Sequence, residues 1–203
     1  MGVLVIDYGM GNLGSVRRAV EECGADVFVS ADPDELKHAD RIILPGVGAF
    51  PDAMARLNER GWPEALKNTL QNQNVTMLGI CLGMQLLADK GTEGGEHQGL
   101  GLIFGDVIRL QPESGERVPH VGWNELNVVH PSSLVDGIPD GTDFYFVHSY
   151  HFSVANEADV IARSPYCGQV VSVVGSGNVF GAQFHPEKSG RPGFKMLQNF
   201  LEL

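Results

Sequence analysis

Cysteine is scarce in this chain, and so is positive charge. Three cysteines, Cys23, Cys81 and Cys167, are spread over 203 residues. An odd, widely spaced set excludes a disulfide-stapled scaffold and leads us to expect free thiols in a reducing cytoplasm, where the Asn74-Val75-Thr76 sequon has no use. Lys and Arg together number 14 against 25 Asp and Glu, a formal net charge of −11. A surface this acidic repels phosphate backbones, so nucleic acid is not an expected partner. No apolar run approaches the ~20 residues a membrane helix needs. The start, MGVLVIDYG, has neither a basic n-region nor a small-residue cleavage site, and Ile6 stands where a myristoylation signal needs Ser or Thr. No Cys/His cluster has metal-ligand spacing, so no metal is expected. The remaining composition, 43% hydrophobic and 19% charged, is that of an ordinary globular protein, and the length suits one domain over 1–203 with a substantial core.

Along the chain, short apolar runs alternate with helical periods. Val3–Asp7, Val27–Val29, Arg41–Leu44 and Val75–Ile80 read as buried strands. Leu13–Glu22, Pro51–Arg60, Pro63–Gln71 and Leu82–Lys90 read as helices, with a further helix start at Asp32-Pro33-Asp34-Glu35, where Asp caps and Pro takes the first position. This alternation predicts an α/β fold: a doubly wound, mostly parallel sheet with helices on both faces. From Gly105 the texture changes. Val107–Leu110, Glu125–Val129, Asp143–Val147, Val160–Ala162, Val170–Val174 and Val179–Phe184 suggest antiparallel additions at the sheet's edge. A last helix is expected over Pro192–Leu201. Gly91–Gly101 reads as a glycine-rich loop, a candidate for a mobile or ligand-facing element.

The chemistry gathers at Gly79-Ile80-Cys81-Leu82-Gly83. A strand leads in and a helix leads out, with the G-x-nucleophile-x-G spacing of a nucleophile elbow. Glycines on either side let strand and helix pack closely around a strained turn. The Cys81 sulfur then lies at a helix N-terminus, whose dipole favours thiolate, and the Leu82 N–H is left as a free donor. A lone buried cysteine is ordinarily a small core hydrophobe; the elbow is what sets Cys81 apart from Cys23 and Cys167. Among seven histidines, only His185 stands at a strand end beside a carboxylate at fixed offset, in Phe184-His185-Pro186-Glu187. Pro186 pushes His185 toward extended geometry, which puts residues 185 and 187 on the same side. Glu187 can then orient the imidazole as the third member of a Cys-His-Glu triad. Amide hydrolysis also needs oxyanion donors. The turn after the third strand, Gly46-Val47-Gly48, supplies candidates beside Leu82.

Gly9-Met10-Gly11-Asn12-Leu13-Gly14 competes with this reading. It is a complete G-x-G-x-x-G after a strand and before a helix, with Asp32 near the distance of a ribose-binding acid: the dinucleotide fingerprint in its usual setting. A nucleotide-binding module using Gly9, Gly11 and Gly14 leaves Cys81, the His-Pro-Glu run and the Pro-Gly-Val-Gly turn without a use.

GICLGMQ around Cys81 and QFHPEKS around His185 resemble the signatures of the class I, or triad, glutamine amidotransferases. DYGMGNLGSV (7–16), PGVGAF (45–50), GLGLIFGDV (99–107), PHVGWN (119–124) and FVHSYHF (146–152) resemble the histidine-pathway branch of that family. The likeness runs from Met1 to Leu203. It implies a glutaminase with no cofactor, which binds glutamine through Gln85, Glu93 and the segment His148, Ser149 and Tyr150, with Glu93 pairing the α-ammonium. It also implies that the glycine-rich start faces a partner rather than a nucleotide, and that the partner is a (βα)8-barrel cyclase subunit forming a heterodimer and receiving the ammonia. Ammonia must leave without meeting bulk water, so the barrel is expected over the face where strands end. There we place the Gly9–Asn12 loop with Met10 and Asn12, together with Trp123, Tyr145 and Lys188. Trp123 lies in a stretch without periodicity, and Trp and Tyr are favoured interface anchors.

Overall fold

The computed structural model describes residues 2–203; Met1, where the family likeness begins, lies outside them. In chain order the elements are β1 (Gly2–Ile6), α1 (Leu13–Glu22), β2 (Asp26–Ser30), β3 (Arg41–Leu44), α2 (Phe50–Glu59), α3 (Trp62–Thr69), β4 (Thr76–Ile80) and α4 (Leu82–Leu86). Two short strands follow, β5 (Lys90–Gly91) and β6 (His97–Gln98), and then β7 (Gly105–Arg109), β8 (His120–Val128), β9 (Thr142–His148) and β10 (Tyr150–Val154). The chain ends with β11 (Val160–Ser164), β12 (Val170–Ser176), β13 (Val179–Ala182) and α5 (Gly190–Glu202). The helix start at Asp32 is a short 3₁₀ turn, Pro33–His38, with the Asp32 side chain accepting from Asp34 N.

Nine strands form the main sheet in the order β2-β1-β3-β4-β13-β12-β11-β8-β9. The pairs from β2 to β13 are parallel, and those from β13 to β9 are antiparallel. The sheet is doubly wound. Alternate residues of β1 feed two cores: Leu4 and Ile6 pack with α2, α3 and α4 on one face, Val3 and Val5 with α1 and α5 on the other. Both cores are buried, with Trp62, Phe50, Phe144, Phe184 and Phe200 among their largest buried side chains, so burial of apolar area dominates the stability.

Three expectations need correction. The strand expected over Val179–Phe184 is not an edge addition: β13 lies in the middle of the sheet, parallel to β4, with Ala182 opposite Ile80. The parallel run therefore ends with Cys81 and His185 on neighbouring strands. The strand at Val107–Leu110 does not join the main sheet either; β7 pairs with β10 in a separate four-stranded sheet, β10-β7-β5-β6. The helix expected over Leu82–Lys90 stops at Leu86. Carbonyls that would continue it are taken by the returning chain: Leu86 O accepts from Leu100 N, Leu87 O from Leu102 N and Ile103 N, and Ala88 O from Gly101 N. Once those acceptors are filled from outside, a further helical turn has no bonds to make.

Candidate active site

Cys81 is held in a conformation that an L-residue adopts only under constraint, φ 55° and ψ −110°. Its neighbours supply the constraint. A Cβ on Gly83 would collide with the backbone oxygen of Leu44, and one on Gly79 would come within 2.6 Å of Gly83 O. Strand β4 and helix α4 thus cross with backbone touching backbone, and the turn between them has no slack. Cys81 N donates to Ala182 O at 2.8 Å, which ties the elbow to β13 and so to His185, three residues further on.

His185 Nδ1 is 2.9 Å from a Glu187 carboxylate oxygen, and both side chains are almost wholly buried. Because the carboxylate accepts, Nδ1 carries the hydrogen in the neutral ring, leaving Nε2 as the basic nitrogen. Nε2 has no aligned hydrogen-bond partner among the described residues. Burial opposes charge on this ring, but the adjoining Cys81 sulfur and the Glu187 carboxylate outweigh it and raise the pKa of His185 to about 9. The imidazolium is therefore favoured when the sulfur is negative, the electrostatic arrangement of a thiolate–imidazolium pair.

Cys81 and His185 open into one cavity of about 100 Å³, lined also by Val47, Gly48, Leu82, Gln85, Val147, His148, Ser149 and Tyr150. A larger open groove, about 790 Å³, runs between Pro33 and Val75, but its lining holds neither cysteine nor histidine, so the smaller one is the candidate site. Gly46 does not reach the cavity. It is buried where a Cβ would come within 2.9 Å of Tyr8 Oη, Leu82 Cβ and Gly83 N, so it serves close packing. Gly48, at φ +107°, turns the chain beside Met10. Tyr8 Oη donates to Pro45 O at 2.9 Å and fixes the start of this turn.

Glu93 is also outside the lining. Its carboxylate accepts the N–H of Phe50 at 2.8 Å, satisfying the first turn of α2. Gln85 is 5% exposed and donates to Tyr150 O at 2.8 Å and to Gln183 Oε1 at 2.9 Å. Sequence reasoning passed over Gln183 and His120. The signal for Gln183 was a polar residue between Ala182 and Phe184 in an otherwise apolar strand. His120 was hidden because the strand was expected to begin at Glu125, whereas the β8–β9 ladder runs from His120 opposite His148 to Leu126 opposite Thr142.

Trp123 is 58% exposed, pairs with Tyr145 across β8 and β9, and meets it edge-on with ring centroids 5.9 Å apart. Val121 and Val147 are exposed beside them, giving an apolar strip. Lys188 is exposed just after Glu187. Asn12 caps α1, its Oδ1 accepting from Ser15 N. The nucleotide reading loses its third glycine: Gly14 has open space around it, whereas the dinucleotide fingerprint uses that glycine for close helix–strand packing. No cluster of three or more His, Cys, Asp or Glu among the described residues could hold a metal ion, and no described helix is long and apolar enough to cross a membrane.

The family model of class I glutamine amidotransferases matches residues 4–203. Proteins named imidazole glycerol phosphate synthase subunit HisH are similar over almost the whole chain. The one from Moorella thermoacetica is 48% identical over 201 residues, covering 99% of this chain and 94% of that protein. The one from Chromobacterium violaceum is 48% identical over 209 residues, covering 99% and 97%. Two solved structures share the fold at 22% identity: a glutamine amidotransferase, TM-score 0.79 over 99% of this chain and 98% of that one, and PurLQS from Thermotoga maritima, TM-score 0.78 over 99% and 97%. With a full-length family match and a constrained cysteine sharing its cavity with a buried His–Glu pair, the chain belongs to the class I glutamine amidotransferases.

Proposed function

We propose that this chain is the glutaminase subunit of an imidazole glycerol phosphate synthase, hydrolysing glutamine to glutamate and ammonia for histidine biosynthesis. The observation that carries the chemistry is the convergence of Cys81 and the His185–Glu187 pair on one small cavity. The near-full-length similarity to HisH subunits carries the pathway.

Cys81 thiolate attacks the side-chain amide carbon of glutamine. The oxyanion is held by the N–H of Leu82 and an N–H of the Val47–Gly48 turn. The His185 imidazolium gives its Nε2 proton to the leaving nitrogen, and ammonia departs from a glutamyl thioester. The now neutral ring takes a proton from water, whose oxygen attacks the thioester; glutamate leaves and Cys81 is restored. Glu187 holds the tautomer and orientation of the ring throughout. Gln85, His148, Ser149 and Tyr150 form the wall that receives the amino-acid end. Both amide protons of Gln85 are engaged inside the protein, so it offers substrate only its carbonyl oxygen. Glu93 holds Phe50 N with one carboxylate oxygen, which leaves the other to accept from an α-ammonium.

Ammonia released into water at neutral pH becomes ammonium and is lost as a nucleophile. The acceptor must therefore be docked over this site, and by likeness to the family it sits on a (βα)8-barrel cyclase subunit, with the Met10–Asn12 loop, Trp123, Tyr145 and Lys188 in the contact. The barrel would use the ammonia to form imidazole glycerol phosphate and an aminoimidazole carboxamide ribotide. Three free cysteines suit a reducing cytoplasm. Glutamate release measured with and without the cyclase subunit tests the assignment. The expected result is a glutaminase that the cyclase subunit stimulates; no glutamine-dependent glutamate from the complex would overturn it.

A further inference from the structure

Beside the His185 ring, Cys81 Sγ makes two hydrogen-bond contacts. Its thiol points at Val147 O, 3.7 Å away, and Gln183 Nε2 points at it from 3.8 Å. Ionisation changes their standing. A thiolate has no hydrogen to give, so Val147 O becomes a lone pair facing a negative sulfur, and the Gln183 N–H becomes the contact that gains strength.

An amide can present either end, and here the choice is fixed from outside. Tyr150 O is a backbone carbonyl and only accepts. It receives Gln85 Nε2 at 2.8 Å, which orients the Gln85 amide. The second hydrogen on the same nitrogen goes to Gln183 Oε1 at 2.9 Å. With its oxygen committed, Gln183 must turn its nitrogen toward the sulfur. Gln183 is 0% exposed, so no water competes for either end. The same carbonyl also receives His148 Nδ1 at 2.8 Å, which makes the anchor a rigid one.

We propose that Gln183 is a thiolate-stabilising donor to Cys81, its polarity imposed by the Tyr150 carbonyl through Gln85. Other titratable groups stand around the sulfur: Tyr8, just past β1, and His185 interact with it, His148 at the end of β9 lines the same cavity, and Glu187 acts on it through His185. Burial, and then the Cys81 charge, push the Tyr8 hydroxyl well above its ordinary range, so it stays protonated and neutral. His148 is neutral, and the cation at the site is His185. Gln183 therefore adds a directed N–H to what the His185 ring supplies.

The proposal rests on Cys81 being the nucleophile, and one experiment separates the two claims. The rate of iodoacetamide modification at Cys81, mapped by peptide mass, is measured against pH in the full chain for wild type, Gln183→Met and Gln183→Glu. Loss of the donor in Gln183→Met moves the alkylation midpoint up by about one pH unit, roughly tenfold less reactive below the midpoint. Gln183→Glu moves it further, because an oxygen then faces the sulfur. A packing role gives the opposite order, since Glu copies the shape of Gln and Met does not. Gln85→Met tests the relay without touching Gln183: the freed amide can turn over, and the midpoint rises by less than in Gln183→Met. Unchanged midpoints in the variants that fold overturn the donor role. A wild-type Cys81 no more reactive than Cys23 or Cys167 overturns the nucleophile assignment itself.

Discussion

His185 donates its backbone N–H to Tyr145 O at 3.0 Å, so the proposed base hangs from the same strand that presents the exposed Trp123–Tyr145 pair. A second tie runs alongside: Tyr145 N donates to Ser189 Oγ, which in turn donates to His185 O at 2.7 Å. Two ties thus join the β8–β9 edge to the proposed base.

Trp123→Ala should weaken association with the cyclase subunit by about 2 kcal/mol or more, near thirtyfold, as expected for an exposed aromatic anchor. The ring is 58% exposed, so the isolated chain should stay folded and Cys81 should still react with a glutamine-like alkylator. Titration calorimetry and alkylation together check this. Unchanged affinity and unchanged stimulation would return Trp123 to a local structural role.

Two glycine substitutions should go in opposite directions. Gly14 sits in α1 with nothing within 4 Å of an added Cβ, so Gly14→Ala should stabilise the chain by about 0.5–1 kcal/mol through helix propensity and leave glutaminase activity intact. A nucleotide site needing that glycine predicts the reverse. Gly83→Ala drives a methyl into the Leu44 carbonyl and should cost several kcal/mol, roughly 3 or more. Thermal unfolding of both variants decides.

Glu187→Gln should retain some glutaminase, unlike loss of the nucleophile, because an orienting group is less costly to remove. It should also change the pH profile. His185 acts as the acid while protonated, and its pKa is raised to about 9, so wild-type glutamate release should fall as pH rises through that value. Without the carboxylate the imidazolium is less favoured, and the alkaline limb should move to lower pH. An alkaline limb that does not move would separate Glu187 from the proton transfer.

His120 and His148 form a neutral chain with fixed tautomers. His148 Nδ1 faces Tyr150 O, so it carries the hydrogen; its Nε2 then accepts from His120 Nδ1 at 2.9 Å. Burial, the larger effect in both, lowers His120 to about 4 and His148 to about 3. Between pH 6.5 and those values the unfolded chain binds protons that the folded chain refuses. Stability should therefore be unaffected by these rings above 6.5 and should decline as pH falls through that window. Nitrogen-15 NMR should show both rings with Nδ1 protonated at pH 6; a ring titrating near 6.5 would break the chain as described.

The elbow and the His-Pro-Glu run were legible because each is local. Spacing within five residues around Cys81, and an extended i, i+2 pair at His185 and Glu187, carry their geometry in the sequence. The βα alternation through Ile80 was legible for the same reason. Strand order was not. Nothing near Val179–Ala182 says that β13 inserts beside β4 rather than at an edge; the pairing is a long-range event. The β8 strand was misread because its pattern is inverted. His120, Gly122 and Asn124 turn inward while Val121 and Trp123 turn out, since a buried His–His bond and a stacked Tyr166, 3.8 Å from His120, replace the usual apolar contacts. Helix α4 was overrun because its last carbonyls are claimed by residues 100–103, a loop whose return path no periodicity records.

Cys81→Ala in complex with the cyclase subunit tests the central claim most directly. In the proposed mechanism the thiol serves ammonia release alone. Glutamate production from glutamine should fall to background, while the same complex supplied with ammonium salts should still form the imidazole product. A mutant complex that keeps near-normal glutaminase activity would contradict the assignment of Cys81.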